Sequence, residues 1–188
     1  GFASFRFSLY IDKPGGRKLH ECGISTHVKD LNTVLKFFRK KYKNIIVIGH
    51  SLGGITALSA DRSLFDAIVL WDGTSSLNKR IRKDFIYSKK LDAYFMDWRV
   101  RGIMSKKMYK EWNDFPLPQE ATKNLTKPLK VIVAGDNILV QAGKDYYKAA
   151  KGPKEFAVIK GASHTFIEEG IEEKLFAETP SFVKKYSK

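Results

Sequence analysis

Ser51 stands in Gly49-His50-Ser51-Leu52-Gly53, a G-x-S-x-G pattern that follows an apolar run and precedes a stretch of helix-forming residues. The chemistry such a pattern serves is nucleophilic attack, because a sharp strand-to-helix turn lifts the serine hydroxyl clear of the backbone. The flanking glycines suit that turn, where a Cβ is expected to crowd it. A hydroxyl is a poor nucleophile until a base takes its proton, and the chain has four histidines to choose from. His50 adjoins the serine and cannot face its own neighbour's hydroxyl, so it is expected to pack at the top of the sheet. His20 and His27 come before the nucleophile, near the start of the first predicted helix, and read as surface residues. His164, in Gly161-Ala162-Ser163-His164-Thr165-Phe166, follows the last predicted strand and is the candidate base. An imidazole base needs a carboxylate to set its tautomer and stabilise its cation. Asp136 and Asp72 each end a predicted strand. Asp136 is favoured because its strand comes just before that of His164, whereas Asp72 closes the strand directly after the nucleophile's helix.

These side chains need a frame, and hydrophobic periodicity supplies one. Residues 44–48, 67–71, 129–134 and 155–159 are short, apolar and rich in β-branched types, as expected of strands buried on both faces. Helical spacing places Val28, Leu31, Val34, Leu35 and Phe38 on one face, with Ser25 or Thr26 as candidate N-cap. Further helices are expected over 141–151 and 166–186. Strands alternating with helices predict an α/β fold, a mostly parallel sheet with helices on both faces. Ligand sites in such sheets gather beyond the carboxyl ends of the strands, where Ser51, Asp136 and His164 all fall. Residues 2–10 alternate aromatic and polar types and read as a further strand. Residues 74–127 break the alternation with many aromatic and basic side chains, and are expected to form a mostly helical insertion over the sheet. The predicted division is therefore a core of 1–73 and 128–188 with a cap of 74–127.

Composition bounds the remaining classes. A chain of 188 residues, 43% hydrophobic and 29% charged, has the balance of a single globular domain. It contains no apolar run long enough to span a membrane and no charged-then-apolar leader, although it begins with Gly1. Cys22 is the only cysteine, which excludes an intramolecular disulfide and a cysteine-based metal site. A reducing, cytoplasmic setting is expected. The formal net charge of +14 makes the surface basic. No nucleic-acid motif accompanies it, so it reads as a solvated lysine-rich surface and no nucleic-acid partner is expected.

Residues 44–57, the Gly135-Asp136 turn and the 161–166 turn together resemble the α/β-hydrolase superfamily, in particular its compact esterase, lipase and acyl-aminopeptidase-like members with a helical cap. The resemblance implies a triad of Ser51, Asp136 and His164. It also implies an oxyanion hole made by the Leu52 backbone N–H and a second donor from a loop after the family's third strand. Residues 2–10 resemble the strand that precedes the nucleophile strand in chain order. The family's first three strands, with that loop, are then expected to be missing. The chain alone is expected to be poorly stable and, with one donor lost, slower by about 100- to 1,000-fold. The implied reaction is hydrolysis of a carboxylic ester through an acyl-enzyme, with a small acyl substrate and no cofactor or metal. Amide or peptide hydrolysis by the same triad stays open, as does a non-catalytic binding protein on the same fold. Oligomeric state is left open.

Overall fold

A computed structural model of the chain describes residues 2–11, 13–77, 82–98, 100–135 and 137–186. They form two compact units. One comprises residues 31–76 and 115–188, the other residues 1–30 and 77–114.

The larger unit is built on four parallel strands: β1 (Ile46–His50), β2 (Ala67–Trp71), β6 (Leu129–Ala134) and β7 (Lys154–Ile159), adjacent in the order β1-β2-β6-β7. The two central strands are buried almost end to end, which is why they read as unbroken apolar runs. Alternate residues serve opposite faces. Ile68, Leu70, Leu129, Val131 and Val133 pack with Leu58 of α2 (Leu52–Ser59) and Tyr146 of α5 (Val140–Ala149). Ala67, Val69, Ile132 and Ala134 pack on the other side with Ile171, Leu175 and Phe182 of α6 (Ile171–Tyr186). Burying one such large side chain stabilises the fold by about 1.5–3 kcal/mol relative to exposure, and these two layers hold the carboxyl edge of the sheet in place. β1 and β7 are the outer strands of the four. Ile48 and Val158 on them remain 43% and 42% exposed.

In the smaller unit β3 (Phe85–Ser88), β4 (Ala93–Trp98) and β5 (Val100–Ser105) form an antiparallel sheet. It is followed by α3 (Lys106–Asn113), whose N-terminus is capped when Ser105 Oγ accepts from Met108 N at 2.8 Å. Tyr109 of α3 stacks on Tyr94 with ring centroids 3.9 Å apart and meets Phe85 edge-on at 5.4 Å. The segment expected to be mostly helical is therefore substantially a sheet. Its alternating Ile86, Tyr87, Tyr94 and Phe95 pair across strands, where aromatic and β-branched side chains pack well.

Residues 115–127, expected to belong to the insertion, lie with the larger unit. There α4 (Pro118–Thr122) is tied to α5 by the Thr122 hydroxyl donating to Tyr146 O at 2.9 Å, and Leu125 is buried in the core. Residues 2–10, expected to be a strand, belong to no sheet. Alternation alone does not make a strand where no ladder partner satisfies the backbone. The first long helix, α1 (Ile24–Arg39), starts two or three residues before the point that Ser25 or Thr26 as N-cap would set. The Thr26 hydroxyl accepts from Gly23 N at 3.2 Å, and the Glu111 carboxylate accepts from Ser25 N at 2.9 Å. His27, expected at the surface, is 1% exposed. No helix among the described residues is long and apolar enough to cross a membrane.

Candidate active site

The site is assembled where β1, β2, β6 and β7 end. Ser51 follows β1 at once and is the N-cap of α2, with φ 54° and ψ −124°. This conformation is costly for a residue with a side chain. Local bonds hold it: Ser51 N donates to Trp71 O at 3.1 Å, while Thr74 N and the Thr74 hydroxyl donate to Ser51 O at 3.1 and 3.3 Å. Behind that brace, the buried Tyr146 hydroxyl donates to Thr74 O at 2.8 Å. The glycines contribute unequally. A Cβ on Gly49 would run into the Gly53 carbonyl and lie 2.9 Å from Gly54 Cα, so the turn excludes it. At Gly53 a Cβ would meet nothing within 4 Å, contrary to the expectation that both motif glycines are sterically required.

His164 comes from the far edge of the sheet. Three inter-strand gaps separate β1 from β7, about 14 Å at ordinary spacing. The loop after Ile159 opens with a turn, Ala162 N donating to Ile159 O at 3.3 Å, before it brings the imidazole to Ser51, where His164 Nε2 lies 2.8 Å from Ser51 Oγ. The other nitrogen, Nδ1, lies 2.5 Å from Asp72 Oδ2.

Asp72 is the carboxylate that the sequence ranked second. It follows β2, whose Trp71 is paired with His50 of β1, so it emerges one residue past the strand end beside the nucleophile turn. Its carboxylate is fully buried and gathers three donors: Ala134 N at 3.2 Å on Oδ1, and Asn137 Nδ2 at 2.6 Å on Oδ2 besides His164. Asn137 is itself fixed, because its Oδ1 accepts from Leu139 N at 2.6 Å. Asp136, the acid favoured from the sequence, lies outside the described residues. Its neighbour Asn137 brings that turn into the site as a hydrogen-bond donor to Asp72. The chain order of serine, acid and histidine is unchanged.

Leu52 is the first residue of α2, so its N–H is among the donors a helix leaves without an intrahelical partner, at the positive end of the helix dipole. It stands where the sequence placed an oxyanion donor. His50, expected only to pack, places Nε2 2.8 Å from the His164 carbonyl oxygen. A carbonyl only accepts, so His50 carries its proton on Nε2. Desolvation holds its pKa below the ordinary imidazole value, although His50 as a residue is exposed. Four non-glycine residues among those described have positive φ, and Ser51, Asp72 and Phe166 are three of them. Such strain collects where surrounding structure over-determines the backbone. The same residues place no group of three or more His, Cys, Asp or Glu to hold a metal ion. Asn137 and Thr74 are the supporting residues the sequence alone did not single out, whereas Asp72 ranked second as acid and His50 was expected only to pack. The one available signal was the in-register pairing of β1 with β2, which needs the sheet order.

No protein-family model matches the chain, and no curated protein matches it by sequence. Solved structures do match it in fold. The esterase domain of a Rhodothermus marinus protein superposes with a TM-score of 0.70 at 16% identity, over 89% of this chain and 70% of that one. The monoacylglycerol lipase of Paleococcus ferrophilus gives 0.66 at 16% identity, over 96% and 82%. A lipase-esterase related protein of Clostridium acetobutylicum gives 0.62 at 17%, over 85% and 75%. The fold is that of the α/β-hydrolases, as the resemblance implied.

Proposed function

We propose that this chain, carrying the α/β-hydrolase fold, is a serine hydrolase of carboxylic esters in which Ser51 is the nucleophile, His164 the base and Asp72 the acid. The observation that carries the reading is the continuous hydrogen-bonded line from Ser51 Oγ through both nitrogens of His164 to a carboxylate with no exposure. Asp136, which the sequence favoured as acid, is the competitor for that last role alone. Esterase and lipase names among the structures of similar fold support an ester as substrate.

In this reading Ser51 Oγ attacks the ester carbonyl carbon as His164 Nε2 takes its proton. Asp72 stabilises the resulting imidazolium through Nδ1–H. Negative charge moves to the carbonyl oxygen, and the Leu52 N–H at the start of α2 is aimed to receive it. Collapse of the tetrahedral intermediate breaks the bond to the alkoxy group, which leaves as an alcohol with the proton from His164. Water, deprotonated by the same imidazole, then attacks the acyl-Ser51 and releases the acid.

The test is hydrolysis of short p-nitrophenyl esters by the chain and by Ser51→Ala. Turnover that disappears in the variant supports the reading. Turnover that survives Ser51→Ala, or none from a folded chain across the ester panel, refutes it.

A further inference from the structure

Two consecutive residues of the nucleophile turn hold opposite ends of one residue. Ser51 Oγ lies 2.8 Å from the ring of His164 at Nε2, and the His50 ring lies 2.8 Å from the backbone oxygen of His164. We propose that His50 is a positioning residue whose Nε2–H, by donating to the His164 carbonyl, locks the base-carrying loop to the turn that carries the nucleophile. The inference rests on the reading of Ser51 and His164 given above.

The need for such a tie follows from where the loop comes from. Residues 161–166 lead from the end of β7, at one edge of the sheet, to the turn that follows β1 at the other. Their other described hydrogen bonds stay close to home: Ala162 N to Ile159 O, Ser163 N to the Glu168 carboxylate, and Phe166 N to Ser163 O. Among the described residues, three bonds leave the loop for other elements, and all three belong to His164. The bond at Nε2 is given up in every cycle, when Ser51 Oγ becomes acylated. The bond at Nδ1 holds the ring but leaves it free to swing with its backbone. The carbonyl bond to His50 fixes the backbone itself and is indifferent to the protonation state of the His164 ring.

A neutral donor suits the place. The ring centroids of His50 and His164 are 5.1 Å apart, and Phe166 meets His50 edge-on at 6.1 Å. A cationic His50 would oppose the imidazolium that forms on His164, although Asp72 draws His50 toward the charged state. Desolvation of the His50 ring works against its protonation.

The test is the second-order rate at which a fluorophosphonate labels Ser51 in the wild-type chain, in His50→Phe and in His50→Gln. Phenylalanine keeps the ring and its contact with Phe166 but has no donor. Glutamine keeps a donor and loses the ring. The inference expects about a tenfold slower rate in His50→Phe, the scale of one neutral hydrogen bond, and recovery of most of it in His50→Gln. A packing role expects the reverse order. His50→Phe labelling at the wild-type rate, or His50→Gln as slow as His50→Phe, would overturn the inference while leaving the triad standing. A wild-type chain whose Ser51 stays unlabelled would overturn both. Imidazole nitrogen NMR of the wild type serves even if a variant fails to fold. A neutral His50 protonated on Nε2 supports the tie, and a proton on Nδ1 instead overturns it.

Discussion

Asp72→Asn isolates the acid with almost no change in shape. The wild-type carboxylate receives three donors and offers none, so an amide in its place must set an N–H₂ against at least one of them. With the amide nitrogen at the Oδ1 position, the buried Ala134 N–H loses its acceptor. With the nitrogen at the Oδ2 position, it faces both His164 Nδ1 and the Asn137 amide. Asn137 cannot simply flip, because its oxygen already accepts from Leu139 N. Each orientation leaves an unpaired buried donor, costing about 1–3 kcal/mol of stability. In the second orientation His164 Nδ1 becomes an acceptor, its proton moves to Nε2, and the base faces Ser51 with nothing to accept a proton. Loss of the correct tautomer and of imidazolium stabilisation predicts a fall in kcat/KM of about 1,000- to 10,000-fold, roughly 4–5.5 kcal/mol of transition-state stabilisation. Asp136→Asn is predicted to stay within about twofold of wild type, or about half a kilocalorie. Steady-state ester hydrolysis and urea melts of both variants give the answer. Asp72→Asn within tenfold of wild type, with Asp136→Asn as the damaging change, would refute the assignment of the acid.

The glycines of the nucleophile turn should separate cleanly. Gly49→Ala forces a Cβ into the Gly53 and Gly54 backbone and is predicted to abolish turnover, whereas Gly53→Ala, open and helical, should keep activity and add up to about 1 kcal/mol of stability in urea melts. Burial holds the pKa of His27 below its ordinary value, and among the described residues neither ring nitrogen has a hydrogen-bond partner. Below about pH 6.5 the unfolded chain then binds more protons than the native one, so stability falls as pH drops from there toward the depressed native value; His27→Phe should flatten that slope, leaving the share that His50 contributes with the same sign. Lys130 is buried between Glu155 at 3.3 Å and Glu178 at 2.6 Å, but both carboxylates reach solvent and can rehydrate. Lys130→Met should therefore change stability by no more than about 1 kcal/mol, and a loss of several would show that the buried cation is a net stabiliser.

What could be read from the chain and what could not follow a physical line. Ser51 was legible because the turn chemistry is local: a strand, a strained residue and a helix within a dozen positions. His164 was legible by elimination among few histidines together with its place after a strand. That Asp72 lies within reach of His164 was not, because Asp72 and Asp136 look alike locally, each following a predicted strand. That reach depends on sheet order, a non-local property. The antiparallel sheet in the insertion was missed for a related reason. Aromatic residues such as Tyr94 and Phe95 fit either element until their cross-strand partners are known. Residues 2–10 erred the other way, with the alternation of a strand and no ladder to join. His27 carried no mark of burial, since its ring is covered by Tyr10, stacked at 6.1 Å from a distant stretch of chain.

The most direct measurement is peptide mapping after treatment with a fluorophosphonate, which phosphonylates a serine only where a neighbouring base activates it. The account predicts a single adduct on Ser51 in the wild-type chain and its near-complete loss in His164→Ala. An adduct on another residue, or undiminished modification of Ser51 without the imidazole, would contradict it.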